Sequence, residues 1–217
     1  MRQALEPILK INNLQTHFFT KAGILKAVDG VSFEIAAGEI VGLVGESGSG
    51  KSITGFSVMG LVDAPGKIID GSINFKGKDL SALSNDQMQN IRGNRIAMIF
   101  QDPMMTLNPV LRIETQMIEA IQAHDGEVSR EDARIRSRDT LGLVGISSPD
   151  ERLRAYPHQF SGGMRQRVSI AIAMLNRPDL IIADEPTTAL DVTIQGQVIS
   201  EMQKLCRETQ TALLWIT

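Results

Sequence analysis

A glycine-rich segment, residues 45–52, has the residues needed to hold a phosphate group. Its sequence, GESGSGKS, fits the pattern G-x-x-x-x-G-K-[ST]. The apolar run at residues 40–44 is predicted to be a buried strand, and residues 52–59 are compatible with a helix. Glycines let the backbone N–H groups turn inward toward phosphate oxygens, and the amino terminus of the helix adds partial positive charge. We therefore predict a phosphate loop between a strand and a helix.

Two side chains of this loop have specific predicted roles. Lys51 is predicted to reach the β- and γ-phosphates of a nucleotide, and the Ser52 hydroxyl to coordinate Mg²⁺. The predicted nucleotide-binding residues of the segment are Gly45, Glu46, Ser47, Gly48, Ser49, Gly50, Lys51, Ser52 and Ile53.

Two carboxylates follow a second apolar run. Residues 180–183, LIIA, are predicted to form a central parallel strand, and Asp184 and Glu185 come directly after it. Open α/β sheets bind their ligands at the carboxyl ends of the strands. Asp184 is predicted to hold Mg²⁺, as acidic residues do in other phosphate-loop ATPases. Glu185 is predicted to accept a proton from the attacking water, a role that typically contributes about 10²–10⁴-fold in rate.

A third apolar run, residues 96–100, ends at Gln101. A single glutamine after a strand is ordinarily a loop residue. Its position singles it out here, because it too falls at the end of a predicted sheet strand. We therefore include Gln101 among the candidate site residues.

A second glycine-containing helix start lies at residues 160–167, FSGGMRQR. Ser161 is followed by Gly162, Gly163 and a stretch compatible with a helix. Serine is a preferred N-cap, so the simplest interpretation is a capped helix, and such an amino terminus is also able to bind an anion. One chain that binds one ATP needs only one such site. The second site suggests that two copies of the chain meet head to tail with ATP between them.

These motifs together resemble those of the ATPase subunit of an ATP-binding-cassette (ABC) transporter. The usual family signature is LSGGQ, and residues 160–164 read FSGGM, which is similar to the variant of the branch that imports dipeptides, oligopeptides and nickel. The neighbouring segments agree with that branch: QDPMMTLNP at 101–109, YPHQFSGGMRQRV at 156–168 and DEPTTALDVTIQ at 184–195. The resemblance covers nearly the whole chain, with four motifs in the family's order.

The resemblance implies roles for further residues. It implies that Gln101 senses Mg²⁺ and the γ-phosphate, which places Gln101 with Ser52 and Asp184 as a metal-binding residue. It implies that Ser161, Gly162 and Gly163 face the nucleotide of the partner subunit. It also implies that Asp191 lies in the segment that crosses the dimer interface.

Phe18 lies about where the family has an aromatic residue that stacks on adenine. Phe18 and Phe19 fit equally well as core residues of an N-terminal antiparallel strand. Neither side chain offers hydrogen bonds to the edge of a base, so the preference for adenine is implied by the resemblance alone.

The composition is that of a globular protein without an evident nucleic-acid partner. Its 217 residues suit one domain, and 42% of them are apolar. The net charge of −3 gives no electrostatic reason to expect nucleic acid, and a single cysteine, Cys206, excludes a disulfide framework. No apolar run approaches the roughly 20 residues that span a bilayer, and the N-terminus lacks a signal-peptide core.

The resemblance therefore implies a peripheral protein at the cytoplasmic face of the inner membrane. Its implied partners are a second ABC ATPase subunit in a head-to-tail dimer, two transmembrane permease subunits and, indirectly, an extracytoplasmic substrate-binding protein.

The predicted fold class is α/β, a phosphate-loop NTPase (RecA-like) core with an N-terminal antiparallel β region and an inserted α-helical subdomain. Residues 1–101 and 160–217 are assigned to the core, and residues 102–159, which lack strand signals, to the helical subdomain. A helix around residues 192–207 and a strand at 211–216 are predicted to belong to the core.

The family has a histidine just after the strand at 211–216, and Thr217 is the last residue of this sequence. We therefore expect a single ABC ATPase domain, residues 1–217, that is incomplete at its C-terminus, binds Mg-ATP and hydrolyses it weakly.

Three functions are compatible with these motifs to different degrees. The favoured one is the ATPase that energises import of peptides or nickel. A soluble ABC-type ATPase acting on DNA or ribosomes usually has a long coiled coil between the positions of Gln101 and Ser161, or two cassettes, and this chain has neither feature. A regulatory nucleotide-binding module without turnover would not need Glu185. The motifs do not distinguish dipeptide, oligopeptide and nickel importers.

Overall fold

A computed structural model describes residues 7–187 and 192–217. Its strands are β1 (Pro7–Thr20), β2 (Gly23–Ala36), β3 (Ile40–Leu43), β4 (Gly66–Phe75), β5 (Lys78–Asp79), β6 (Ile96–Ile99), β7 (Leu180–Asp184) and β8 (Ala212–Ile216). Its α-helices are α1 (Lys51–Met59), α2 (Asn85–Gln89), α3 (Ile113–Gln122), α4 (Arg130–Leu143), α5 (Pro149–Leu153), α6 (Gly162–Met174) and α7 (Val192–Thr209). Short 3-10 helices cover Leu80–Ala82, Pro103–Met105 and Pro157–Gln159.

A parallel sheet with the strand order β3-β8-β7-β6 forms the centre of the fold. Every residue of β6 and β7 is buried. Strands that are covered on both faces have to be apolar throughout, which explains the continuous runs IAMI and LIIA. Successive side chains point to opposite faces, and they join two different core clusters: Ile96 and Met98 belong to one, and Ala97 and Ile99 to the other.

The first core cluster lies between the parallel sheet and an antiparallel sheet of order β2-β1-β4-β5. Helix α1 contributes Val58 and Met59 to it, and β1 contributes Leu9, Ile11 and Leu14. A buried hydrogen bond of 2.8 Å between the hydroxyls of Thr16 and Ser57 joins β1 to α1. The phosphate-loop helix is thereby held between the two sheets.

The second core cluster covers the opposite face of the parallel sheet with helices. In α3, Ile113, Met117, Ile118 and Ile121 are buried and recur at helical spacing on one face. These side chains share a cluster with Leu141 of α4, Leu153 of α5 and Val168 of α6. Within the described residues, none of the helices is long and apolar enough to cross a membrane.

The structure corrects one expectation about the strand before the phosphate loop. The predicted strand is present as β3, but it is not buried: Ile40 is 42% exposed and Val44 is 76% exposed. Among the described strands, β3 pairs only with β8 and so lies at the edge of the sheet. The apolar run identified a strand correctly, but it did not reveal an edge position.

Candidate functional site

The candidate site residues follow the carboxyl ends of three parallel strands. The glycine-rich loop follows β3 and leads into α1, Gln101 comes two residues after β6, and Asp184 is the last residue of β7. Because these strands run in the same direction, their carboxyl ends lie at one edge of the sheet. This arrangement brings together side chains that are far apart in the sequence.

The glycine-rich loop folds around its own lysine. Gly50 caps α1 in a left-handed conformation, with φ of 91°, a region in which glycine is favoured. Lys51 is only 9% exposed, and its ammonium group donates hydrogen bonds to the carbonyl oxygens of Gly45 (2.7 Å) and Glu46 (2.9 Å). An ammonium group held at the amino terminus of a helix fits a phosphate group, since both the charge and the helix dipole favour an anion.

Ser52 and Asp184 form a pair of oxygen ligands suited to Mg²⁺. The Ser52 hydroxyl donates a hydrogen bond of 2.9 Å to Oδ1 of Asp184. Burial raises the pKa of the Asp184 carboxyl, the hydrogen bond from Ser52 opposes that shift, and the nearby Glu185 charge adds to it. A divalent cation would relieve both the burial of this charge and its repulsion from Glu185. Hard oxygen donors such as a carboxylate and a hydroxyl are the ligands that Mg²⁺ prefers.

No cluster of three or more His, Cys, Asp or Glu side chains that could hold a metal ion occurs in the described part of the chain. The ligands predicted for Mg²⁺ are Ser52, Asp184 and the Gln101 amide, which together include only one carboxylate.

Gln101 and Glu185 contact each other directly. Nε2 of Gln101 donates a hydrogen bond of 2.8 Å to Oε2 of Glu185. Glu185 has a positive φ of 43°, a left-handed conformation that costs an L-residue about 1–2 kcal/mol. Its backbone N–H donates to the carbonyl oxygen of Ile216 at 3.0 Å, which holds this conformation in place. Strained residues of this kind cluster at functional sites, and here the strain sets the direction of a carboxylate that contacts Gln101.

These side chains border a cavity of about 480 Å³, within the size range of small-molecule sites. Its lining comprises Phe18, Leu25, Lys26, Ala27, residues 47–53, Gln101 and Glu185. Phe18 is half-buried at this cavity, as the stacking interpretation requires, whereas Phe19 is 45% exposed and is not a core residue. The core interpretation of Phe19 is therefore wrong.

The contribution of β2 to the cavity was missed from the sequence. In the β1–β2 hairpin, Leu25 pairs with Phe18, which brings Leu25, Lys26 and Ala27 to the glycine-rich loop. The turn at Lys21 and Ala22 fixes which residues face each other across the hairpin. Recognition of this turn in the sequence would have placed Leu25 opposite Phe18.

The second glycine motif has the predicted local structure but lies apart from this cavity. Ser161 is the N-cap of α6, and its hydroxyl accepts a hydrogen bond from the Met164 N–H at 3.3 Å. Ser161, Gly162 and Gly163 do not line the cavity bordered by the glycine-rich loop. The other predicted interface residue, Asp191, lies outside the described residues.

The end of β8 and the following Thr217 contact the site through backbone hydrogen bonds. The Thr217 N–H donates to the carbonyl oxygen of Leu43 (3.1 Å), and the Gly45 N–H donates to the carbonyl oxygen of Thr217 (3.4 Å). Together with the bond from Glu185 to Ile216, these contacts join the loop to the acidic residues. No side-chain type in the sequence signals this role.

Comparison with known proteins identifies similar chains. Residues 28–188 match the ABC transporter family. The chain is 52% identical over 214 residues to the oligopeptide transport ATP-binding protein AppD of Bacillus subtilis (strain 168), covering 98% of this chain and 65% of AppD. It is 47% identical over 210 residues to the dipeptide transport ATP-binding protein DppD of Escherichia coli (strain K12), covering 97% of this chain and 64% of DppD. The chain thus spans just under two thirds of the length of these relatives.

The fold is similar to that of a solved cassette. The dimeric structure of a post-hydrolysis state of the ATP-binding cassette MJ0796, bound to ADP and Pi, superposes with a TM-score of 0.86 at 29% identity. The match covers 96% of this chain and 87% of that one. The predicted α/β fold class with a phosphate-loop NTPase core is therefore confirmed.

Proposed function

The chain belongs to the ABC transporter family, and we propose that it binds and hydrolyses Mg-ATP to energise the import of peptides. The main support is a pair of hydrogen bonds at the carboxyl ends of the parallel strands. One joins Ser52 to Asp184, and the other joins Gln101 to Glu185. The names of the relatives, which are oligopeptide and dipeptide transport proteins, favour peptides over nickel.

Each candidate site residue at the carboxyl ends of the parallel strands has a proposed role. Lys51 and the backbone N–H groups of the loop would hold the phosphates, and Ser52, Asp184 and Gln101 would hold Mg²⁺. A bound Mg²⁺ would supply positive charge next to the phosphate oxygens. Glu185 accepts the proton of the attacking water. The Gln101 amide, which donates to the Glu185 carboxylate, keeps that carboxylate directed to the reacting edge.

The assembly around this site is also part of the proposal. A second copy would place its Ser161, Gly162 and Gly163 against the nucleotide in a head-to-tail dimer, with Asp191 at the interface and Phe18 against the adenine ring. Residues 1–101 and 160–217 would act as the core and residues 102–159 as a helical subdomain. Two permease subunits, and indirectly a substrate-binding protein, would complete the transporter at the cytoplasmic face of the membrane.

Single-turnover hydrolysis of Mg-ATP by the wild type and Glu185→Gln tests the proposal. Glu185→Gln keeps the size and polarity of the side chain but removes the base, so we expect Mg-ATP affinity within about twofold of wild type and a rate constant lower by about 10²–10⁴-fold. Glu119→Gln, an exposed substitution on α3, is the matched control and should leave both unchanged. Equal rate constants for Glu185→Gln and the wild type would overturn the assignment of Glu185.

A further inference from the structure

A second cavity lies at the opposite edge of the parallel sheet from the glycine-rich loop. Its volume is about 490 Å³, close to that of the nucleotide cavity and typical of a site for a small molecule. Arg95, which lines it, directly precedes β6, whereas Gln101 follows β6. The cavity is therefore at the amino ends of the parallel strands, and the proposed ATPase chemistry makes no use of it.

The floor of this cavity is apolar. It consists of Phe75 at the end of β4, Leu83 just before α2 and Ile91 just after α2. Phe75 is only 4% exposed, so most of the accessible apolar surface comes from Leu83 and Ile91, which are half-buried and pack against the same core cluster. A ligand here would cover apolar surface with an apolar body, which is favourable in proportion to the area removed from water.

The rim of the cavity carries an excess of positive charge. Lys76 and Arg95 share one carboxylate, since their nitrogens lie 3.0 and 2.6 Å from the oxygens of Asp179. Lys78 also lines the cavity, and it forms no ion pair within the described residues. Two cations that share one carboxylate, together with a third cation, favour an anion.

The neighbouring carboxylate of Asp79 does not neutralise Lys78. Asp79 follows Lys78 in β5, so the two side chains point to opposite faces of the strand. Its Oδ1 accepts hydrogen bonds from the N–H (3.0 Å) and the hydroxyl (2.6 Å) of Ser81. The hydrogen bond from the Ser81 side chain lowers the pKa of the Asp79 carboxyl, against the effect of burial. The carboxylate is therefore held by Ser81 and does not line the cavity.

Two amides add polar groups to the rim. Gln87 accepts a hydrogen bond from the Ser84 N–H through Oε1 (2.9 Å), which leaves its NH₂ group to donate. Asn90 donates through Nδ2 to the carbonyl oxygen of Asp86 (3.2 Å), which leaves its Oδ1 to accept. The rim thus offers cations, one amide donor and one amide acceptor above an apolar floor.

We infer that this cavity is a binding site for a small organic anion with an apolar body, such as an aryl or short acyl group that bears one carboxylate, sulfonate or phosphate. Its anionic group would lie against Lys78 and the Gln87 amide, and its apolar body on Phe75, Leu83 and Ile91. The site is separate from the nucleotide cavity, so the inference does not depend on the proposed function.

Titration with 1-anilinonaphthalene-8-sulfonate, whose fluorescence rises in an apolar site, tests the inference. The probe combines aromatic rings with one sulfonate, and Mg-ATP is present throughout to compete for the nucleotide cavity. The test variant is Lys78→Glu. The matched control is Lys67→Glu, which makes the same charge change at an exposed position of β4 outside the cavity. Circular dichroism checks that both variants are folded.

Lys78→Glu reverses the charge that faces the sulfonate, so it should lower the affinity for the probe about tenfold. The affinity of Lys67→Glu should stay within about twofold of wild type. Equal affinities in Lys78→Glu and the wild type would overturn the inference, as would equal weakening in both variants, which would indicate a general charge effect. The absence of any probe binding while Mg-ATP is present would also overturn it, because the probe would then bind only in the nucleotide cavity.

Discussion

Gly50, at the start of α1, is predicted to be a position where alanine is strongly destabilising. A Cβ atom at this position would overlap the carbonyl oxygen of Ala27 and lie 3.0 Å from its carbonyl carbon. Both obstacles are backbone atoms of β2, which pairs with β1 over most of its length, so they are held in place. Gly48 provides the comparison: its φ of 79° is similar, but a Cβ there would meet nothing within 4 Å.

The magnitudes of the two substitutions follow from this difference. A left-handed conformation costs an L-residue about 1–2 kcal/mol. Replacing glycine also lowers the entropy of the unfolded chain, which stabilises the folded state by about 0.4–1 kcal/mol. Gly48→Ala should therefore lower the free energy of unfolding by about 1 kcal/mol or less. Gly50→Ala includes the same contributions plus a steric clash, which typically adds about 1–3 kcal/mol. We expect a total loss of about 2–4 kcal/mol for Gly50→Ala.

Urea unfolding of the two variants and the wild type, without nucleotide, measures both changes. In a chain of 217 residues, each kcal/mol corresponds to about 2–4 °C in the thermal midpoint, so thermal unfolding gives an independent check. Equal losses for Gly48→Ala and Gly50→Ala would refute the reasoning. That result would mean that the β2 backbone moves away freely and that Ala27 does not constrain the loop.

Three further predictions concern single side chains. Asp184→Asn should raise the free energy of unfolding by about 1 kcal/mol near neutral pH without Mg²⁺, because it removes a charge that is buried and repelled by Glu185. Since burial raises the pKa of Asp184, the folded wild type loses stability as pH rises through that pKa. The stability difference between Asp184→Asn and the wild type should therefore shrink in acid. Thermal unfolding of both proteins from about pH 4 to about pH 8 measures it, and a difference that does not change with pH would contradict the prediction. Ser161→Ala should lower the free energy of urea unfolding by about 1 kcal/mol, because it removes the cap that accepts from Met164; an unchanged value would show that the cap is not needed. Cys206, 2% exposed and with its pKa raised to about 11 by burial, should react with a thiol-specific disulfide reagent only after denaturation, and rapid reaction of the native chain would be the contrary result.

The elements that surround the site could be predicted because local sequence determines them. The run at residues 180–183 became the buried strand β7, and Ser161 marked the start of α6. In both cases the signal lies within a few residues, as an uninterrupted apolar run or as a side chain that caps the next turn. The predicted buried strand at 40–44 shows the limit of such signals, because an edge position depends on which strands are neighbours.

Other parts of the site depend on contacts between distant segments. The hydrogen bond between Gln101 and Glu185 joins residues 84 positions apart, and the positive φ of Glu185 is held by Ile216 in another strand. The same holds for Leu25, which reaches the cavity because a hairpin pairs it with Phe18. These features arise from strand order and register, which motifs and apolar patterns do not contain.

The place of β8 in the sheet has a consequence for how the protein is made. β8 lies between β3 and β7, although both are synthesised well before it. Until the ribosome has passed residue 216, the segments that carry Ser52 and Asp184 lack the strand that joins them. The nascent chain therefore exposes an apolar strand with unpaired backbone groups, which invites association with other chains.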